Sequence, residues 1–183
     1  MEEQKMSEKD YLGKVRGERG LLERIMGYVP GYRGYKEKEL RRESDRLVRM
    51  EAVNRLKVAK TSFRRSFANP MAVQKLSPED AYRFDALTSR LDRVTQRIDR
   101  AVAGYAGVFD AVKVKEDKLD TVIQHDVSLI EKAEALKTDC QKITKVDPGS
   151  DDWRTGMDGL ISRVEEFDAL IDERSEILRG LGG

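Results

Sequence analysis

The chain is poor in the residues that carry most enzyme chemistry and most covalent scaffolding. It has one cysteine, Cys140, and one histidine, His125, among 183 residues. A single thiol cannot close an intrachain disulfide, and a zinc site built from His and Cys within one chain lacks donors. Four prolines are too few for a proline-rich linker or a collagen-like repeat. The longest run of apolar residues and glycine is Ala101 to Phe109, under half of the roughly 20 residues a membrane-spanning helix needs. The first residues, Met1-Glu2-Glu3-Gln4-Lys5, are polar and of mixed sign. They lack the basic-then-apolar order of a secretory signal, so the expected location is cytoplasmic, with peripheral membrane attachment as a variant.

Glycine fingerprints for phosphate or dinucleotide binding, zinc spacings and a nucleophile elbow are also missing. A di-iron bundle would need a Glu-x-x-His motif on each of two helices. Here the residue three before His125 is Val122. No catalytic, cofactor-binding or metal-ligating residues are therefore assigned, no cofactor is expected, and the chain is read as not being an enzyme.

What is abundant is charge. Lys, Arg, Asp and Glu make up 38% of the chain, yet the formal net charge is only +1. The balance is uneven along the sequence. Residues 33–66 sum to +7 and residues 110–183 to −7. One reading is internal, with the basic segment packed against the acidic half. The other is a basic surface for anionic partners, using Arg41, Arg42, Arg46, Arg49, Arg55, Lys57, Lys60, Arg64 and Arg65. Five acids interleave with these cations, which argues against a dedicated nucleic-acid helix.

The apolar residues recur at helical spacing. Leu21, Leu22, Ile25 and Met26 predict a short amphipathic helix over residues 18–28, after a flexible lead-in at 1–17. Val29-Pro30-Gly31-Tyr32-Arg33-Gly34 stops it. A second helix follows over 35–68, free of Gly and Pro, until Asn69-Pro70. Ser77-Pro78-Glu79-Asp80 opens a third over 78–103, with a cap, a proline at the first helical position and acids facing the helix dipole. Phe84, Leu91, Ile98 and Tyr105 stand seven apart along it, and Gly104 and Gly107 predict a break within 104–115. Val122, Leu129, Leu136 and Ile143 mark a fourth helix over 116–145; Met157, Val164, Ile171 and Leu178 mark a fifth over 152–179. The expected fold class is all-α. It is a long antiparallel helical bundle with coiled-coil-like seams, about four long helices and a short N-terminal one, in a single domain over 18–183.

Some side chains stand out against this pattern. Asp126 occupies a seam position, seven after Leu119, where a hydrophobe is expected. A polar seam residue often sets register or oligomer state, and a basic neighbour would satisfy it. Cys140 reads as a small buried hydrophobe and Trp153 as a packing anchor at one bundle end. The segment 18–35, with Tyr28, Tyr32 and Tyr35, either lies in a membrane interface or folds back over the bundle.

The stretch Tyr28-Val29-Pro30-Gly31-Tyr32-Arg33-Gly34-Tyr35-Lys36-Glu37-Lys38-Glu39-Leu40-Arg41-Arg42 resembles an uncharacterised prokaryotic all-helical family with a P-G-Y-x-G-Y turn and a K-x-K-E-x-R-R helix start. Gly104 to Val114, followed by Leu119-Asp120, resembles a second signature of that family. The resemblance implies a helical fold and brings no activity, cofactor or partner. It marks Tyr32, Gly34, Tyr35, Arg41, Arg42, Phe109 and Asp110 as candidate interaction residues, to which charge adds Arg46 and Arg49. The layout is also similar to phage-shock-protein-A-like membrane-stress proteins, an analogy of architecture alone. The expected role is protein–protein interaction or scaffolding, with self-association as one form of it. An anionic membrane surface is the second partner class considered and nucleic acid the third.

Overall fold

The computed structural model describes the backbone of residues 20–33, 38–68, 70–74, 76–100 and 116–180. The lead-in 1–17, the turn residues Gly34 and Tyr35, and the expected break with Phe109 and Asp110 lie outside the described residues. Everything regular among the described residues is helical. Residues 20–28 form α1; then come α2 (Lys38–Ser66), α3 (Pro70–Gln74), α4 (Pro78–Arg100), α5 (Glu116–Ile143) and α6 (Asp151–Gly180). None is long and apolar enough to cross a membrane.

The helix boundaries follow from local chemistry. At α4, Ser77 Oγ accepts the Asp80 amide at 3.1 Å and donates to Asp80 Oδ2 at 2.8 Å, a reciprocal cap. At α6, Ser150 Oγ accepts the Trp153 amide at 3.2 Å. The breaks before α2 and α6 use one device twice. In Val29-Pro30-Gly31-Tyr32, the Tyr32 amide donates to the Val29 carbonyl at 3.2 Å; in Asp147-Pro148-Gly149-Ser150, the Ser150 amide donates to the Asp147 carbonyl at 3.1 Å. Gly31 and Gly149 have φ of 84° and 81°. Proline presets the first central residue of each turn, and glycine alone takes the left-handed second position without steric cost. The sequence expectation that Pro70 simply ends a helix is incomplete. Proline also suits a first helical position, and Pro70 starts the five-residue α3.

Partner pairs fix the directions of the helices. Arg83–Asp158, Arg93–Asp168 and Arg97–Asp172 bridge α4 and α6 at one constant separation of 75 residues, so these two helices run parallel and in register. Across α5 and α6, Lys132 meets Glu166 and Asp139 meets Arg163, an antiparallel order. Lys60–Asp92 and the Phe67–Phe84 ring pair set α2 antiparallel to α4. It follows that α2 and α5 run parallel. The four long helices form a square in which α2 and α6 each pack broadly against both α4 and α5.

The interior is a continuous apolar seam. Leu87, Leu91, Val94 and Ile98 from α4 are buried, as are Val122, Leu129, Ala133, Leu136 and Cys140 from α5. Met157, Val164, Phe167 and Ile171 supply the α6 face. The short α1 lies on this core, with Ile25 fully buried and Leu21, Leu22 and Tyr28 partly so.

The two proline–glycine turns are testable against a helical glycine. Gly31→Ala and Gly149→Ala should each destabilise the chain by about 1–2 kcal/mol, because both force a Cβ into the left-handed region. Gly159→Ala should instead stabilise it by roughly 0.5–1 kcal/mol, since Gly159 lies within α6 and its Cβ would meet nothing within 4 Å. Urea midpoints of the three variants check both signs.

Candidate interaction surface

The charges sort into three groups: buried, paired across helices, and facing solvent without a partner. The buried group holds Asp126. Arg174 Nε donates to Asp126 Oδ1 at 2.9 Å, and Arg174 Nη1 donates to Asp45 Oδ1 at 2.7 Å. Arg49 Nε donates to Asp45 Oδ2 at 2.9 Å. All four side chains are buried, and together they tie α2, α5 and α6. The seam therefore carries two cations against two carboxylates. Sequence reasoning flagged Asp126 alone, yet the signal for the others was present. Arg174 stands seven after Phe167, Asp45 seven before Ala52 and Arg49 seven before Leu56. Each is a charged residue where the heptad requires a hydrophobe.

His125 sits beside this quartet, buried, with neither ring nitrogen hydrogen-bonded among the described residues. Burial holds its pKa below the ordinary value and the Arg174 charge pushes the same way. Glu173, 3.8 Å away and well exposed, opposes both without reversing them. At the other end of the bundle, Asp80 is fully buried at the cap of α4. Arg154 reaches it from α6 through Nε at 2.9 Å and Nη2 at 3.0 Å. That pairing, with help from Ser77, holds the Asp80 carboxyl well below the usual carboxylate range. Burial pushes the Cys140 thiol up to about 12, which keeps it protonated and unreactive.

The second group is a ladder. Arg83, Arg90, Arg93 and Arg97 of α4 bind Asp158, Glu165, Asp168 and Asp172 of α6. On α5, Lys132 takes Glu166. The pairing expected between the basic segment and the acidic half is only partly present: Arg55 of α2 binds Glu134 at 2.8 Å, while Arg24, which binds Glu131 at 2.5 Å, belongs to α1. Four α6 carboxylates, Asp158, Glu165, Asp168 and Asp172, are neutralised instead by α4, a helix of nearly balanced charge. The physical reason is register. Arginines and acids repeat along both α4 and α6, and a parallel pair keeps every rung in phase.

The third group is what remains on α2. Arg46, Lys57, Arg64 and Arg65 are exposed and make no ion pair among the described residues. The inward-turned cations Arg49, Arg55 and Lys60 are paired with Asp45, Glu134 and Asp92. Of the other candidate residues, Arg41 and Arg42 lie in the helical backbone of α2, and their side chains lie outside the described residues. Tyr32 and Arg49 are interior, at 1% and 6% exposure, so neither presents itself to an outside molecule. With Ile25 and Val29 buried as well and Leu21 and Leu22 partly so, α1 spends most of its apolar residues on the core, while Met26 stays half exposed.

Three of the exposed apolar side chains belong to α3 and the start of α4: Met71 and Tyr82 are largely exposed and Val73 about half so. Met26, Met50 and Val58, each near half exposed, stand apart on α1 and α2. A groove of about 370 Å³ at the corner where α2, α3 and α4 meet is lined by Phe67, Val73, Leu76, Ala81 and Phe84, with Arg64 and Asp85 as its charged lining. Beneath it Phe67 touches three other rings: Phe63 at 5.4 Å, Phe84 at 4.6 Å and Trp153 at 5.9 Å between centroids. Trp153 is fully buried in this cluster, which makes it the anchor expected at a bundle end. Nothing in the heptad pattern pointed to this corner, because Met71 and Val73 sit in a segment too short to show a period. A second groove of about 300 Å³ runs between the end of α5 and the start of α6. Most of its charges are already engaged, Asp139 with both Lys142 and Arg163.

Among the described residues, no three His, Cys, Asp or Glu side chains gather as a metal site. No family model, curated protein or solved structure matches the chain.

Removing one member of the buried quartet leaves a charge sealed without compensation. Arg174→Met should cost roughly 3–5 kcal/mol by chemical denaturation, whereas Arg163→Met on the exposed face should cost under about 1 kcal/mol. The His125 sign is also fixed. A group with a depressed folded pKa binds fewer protons folded than unfolded, so stability rises with pH across that window. The urea midpoint should fall as the pH drops below about 6.5, and His125→Leu should flatten this slope. An unchanged slope in the variant would remove the assignment.

Proposed function

We propose that the chain is a non-enzymatic helical interaction module that presents the solvent face of α2 to an anionic partner protein. The observation that carries this reading is the sorting of charge. Carboxylates along α6 are taken up by arginines of α4, and the inward cations of α2 by acids of the bundle. Arg46, Lys57, Arg64 and Arg65 are left over on one exposed helix face. Cations without an internal counter-charge raise the local concentration of acidic partners and hasten encounter with them. A membrane role through residues 18–35 would require α1 to leave the core and expose Ile25, now fully buried.

The test is quantitative capture with cross-linking from extracts of the source cells, comparing the native chain with Arg46→Glu/Lys57→Glu/Arg64→Glu/Arg65→Glu. A discrete acidic protein should be retained by the native chain, lost above a few hundred millimolar salt and missing from the variant. Indistinguishable captured sets from the two chains would remove the reading.

A further inference from the structure

We infer that the groove at the α2–α3–α4 corner is the docking point for an amphipathic acidic segment of a partner protein, with one bulky apolar side chain seated in the groove. This rests on the interaction-module reading and specifies what that module binds. Three features of the corner define the occupant. The groove is concave and apolar, lined by Phe67, Leu76 and Phe84, so it takes a protruding side chain rather than a flat surface. Among the described residues its one lining cation is Arg64, the end of a line: Arg65 is adjacent, and Lys57 lies two helical turns back along α2, about 10 Å away. Carboxylates spaced by two turns of a partner helix match that line. Val58, nearly half exposed beside Lys57, extends the apolar contact along the same helix.

The neighbouring charges narrow the choice further. Asp85 lines the groove together with Arg64, and Asp99 lies exposed on the same α4 edge, fourteen residues on. A phosphate backbone or an anionic lipid surface laid across the corner would meet both carboxylates. A single helix following α2 passes beside them. Arg64 and Arg65 also fall in the last turn of α2, where a cation suits the helix dipole. A test must therefore separate docking from helix stability.

A displayed library of random 16-residue peptides, selected against the full chain, makes that separation. Enriched sequences should carry a Trp, Phe or Leu flanked by Asp or Glu on one helical face. A synthetic copy with Phe in place of any Trp should shift the emission of Trp153, the chain's sole tryptophan, whose ring lies 5.9 Å from that of Phe67. Binding should weaken at least tenfold in Arg64→Glu/Arg65→Glu, and comparably in Lys57→Glu/Val58→Asp, which is remote from the helix end, and in Val73→Asp. Thermal melting of each variant controls for folding. Peptides that bind all three variants as well as the native chain would overturn the site while leaving the module reading intact. Failure to enrich any peptide, together with no partner in the capture experiment, would overturn both. Sedimentation with phosphatidylglycerol vesicles that the same variants abolish, without peptide enrichment, would replace the protein segment by a lipid surface. A mass that rises with concentration in the native chain alone would replace it by a second copy.

Discussion

Four charges sealed in an apolar seam have to be neutralised together, and Arg49, Asp45, Arg174 and Asp126 meet that demand only if three helices are in one register. Asp126 comes from α5, Arg174 from α6 and the Asp45–Arg49 pair from α2. Sliding any of these helices by one turn would separate a carboxylate from its guanidinium and leave both buried. Hydrophobic seams alone tolerate such slips, since one leucine serves nearly as well as the next. The quartet therefore contributes selection of one arrangement more than net stability, given that desolvation of the four groups offsets most of their attraction.

The same logic gives the bundle two unlike ends. The ionic layer lies near the start of α2 and the end of α6. At the opposite end, the close of α2 meets the openings of α4 and α6, and the filling is aromatic: Phe63, Phe67, Phe84 and Trp153. Asp80, capped by Ser77 and gripped by Arg154, pins α4 to α6 there. Rings make large, sequence-tolerant contacts with irregular edges, and the groove beside α3 is one such edge. Met71, Val73 and Tyr82 stand exposed on the elements that meet at this end. The ionic layer consumes its own polar groups.

Much of this was legible in the chain before any coordinates. The heptads Val122–Leu129–Leu136 and Met157–Val164–Ile171 gave two helices with boundaries within a residue or two, because capping residues and Pro-Gly turns are local chemistry. Asp126 was legible as an exception that needed a cation. Its partner was not named, although Arg174 breaks its own heptad in the same way and with the opposite sign. The parallel pairing of α4 with α6 was hidden, since a count of charge by segment discards the phase of the repeat. The same count hid the division of α2, whose +7 is a sum over an inward face that is neutralised and an outward face that is not. The corner groove was invisible for another reason. It is made by chain segments meeting in space, Phe67 with Phe84 and Val73 with Ala81, and a period along one segment does not report where it meets another.

That division of α2 also shapes which kind of partner the proposed reading favours. A surface built for nucleic acid keeps its cations free of acids across the whole footprint, since each phosphate contact acts through the same long-range field. Here Lys60 is bound to Asp92, and Asp85 and Asp99 repeat at sevens on either side of it, so the α4 edge of the face is acidic. The cations that stay free form a line along α2 rather than a field. On the proposed reading, a line one helix wide, ending at an apolar groove, suits another helix. It restricts both the sign of the partner's charge and the spacing at which that charge must recur.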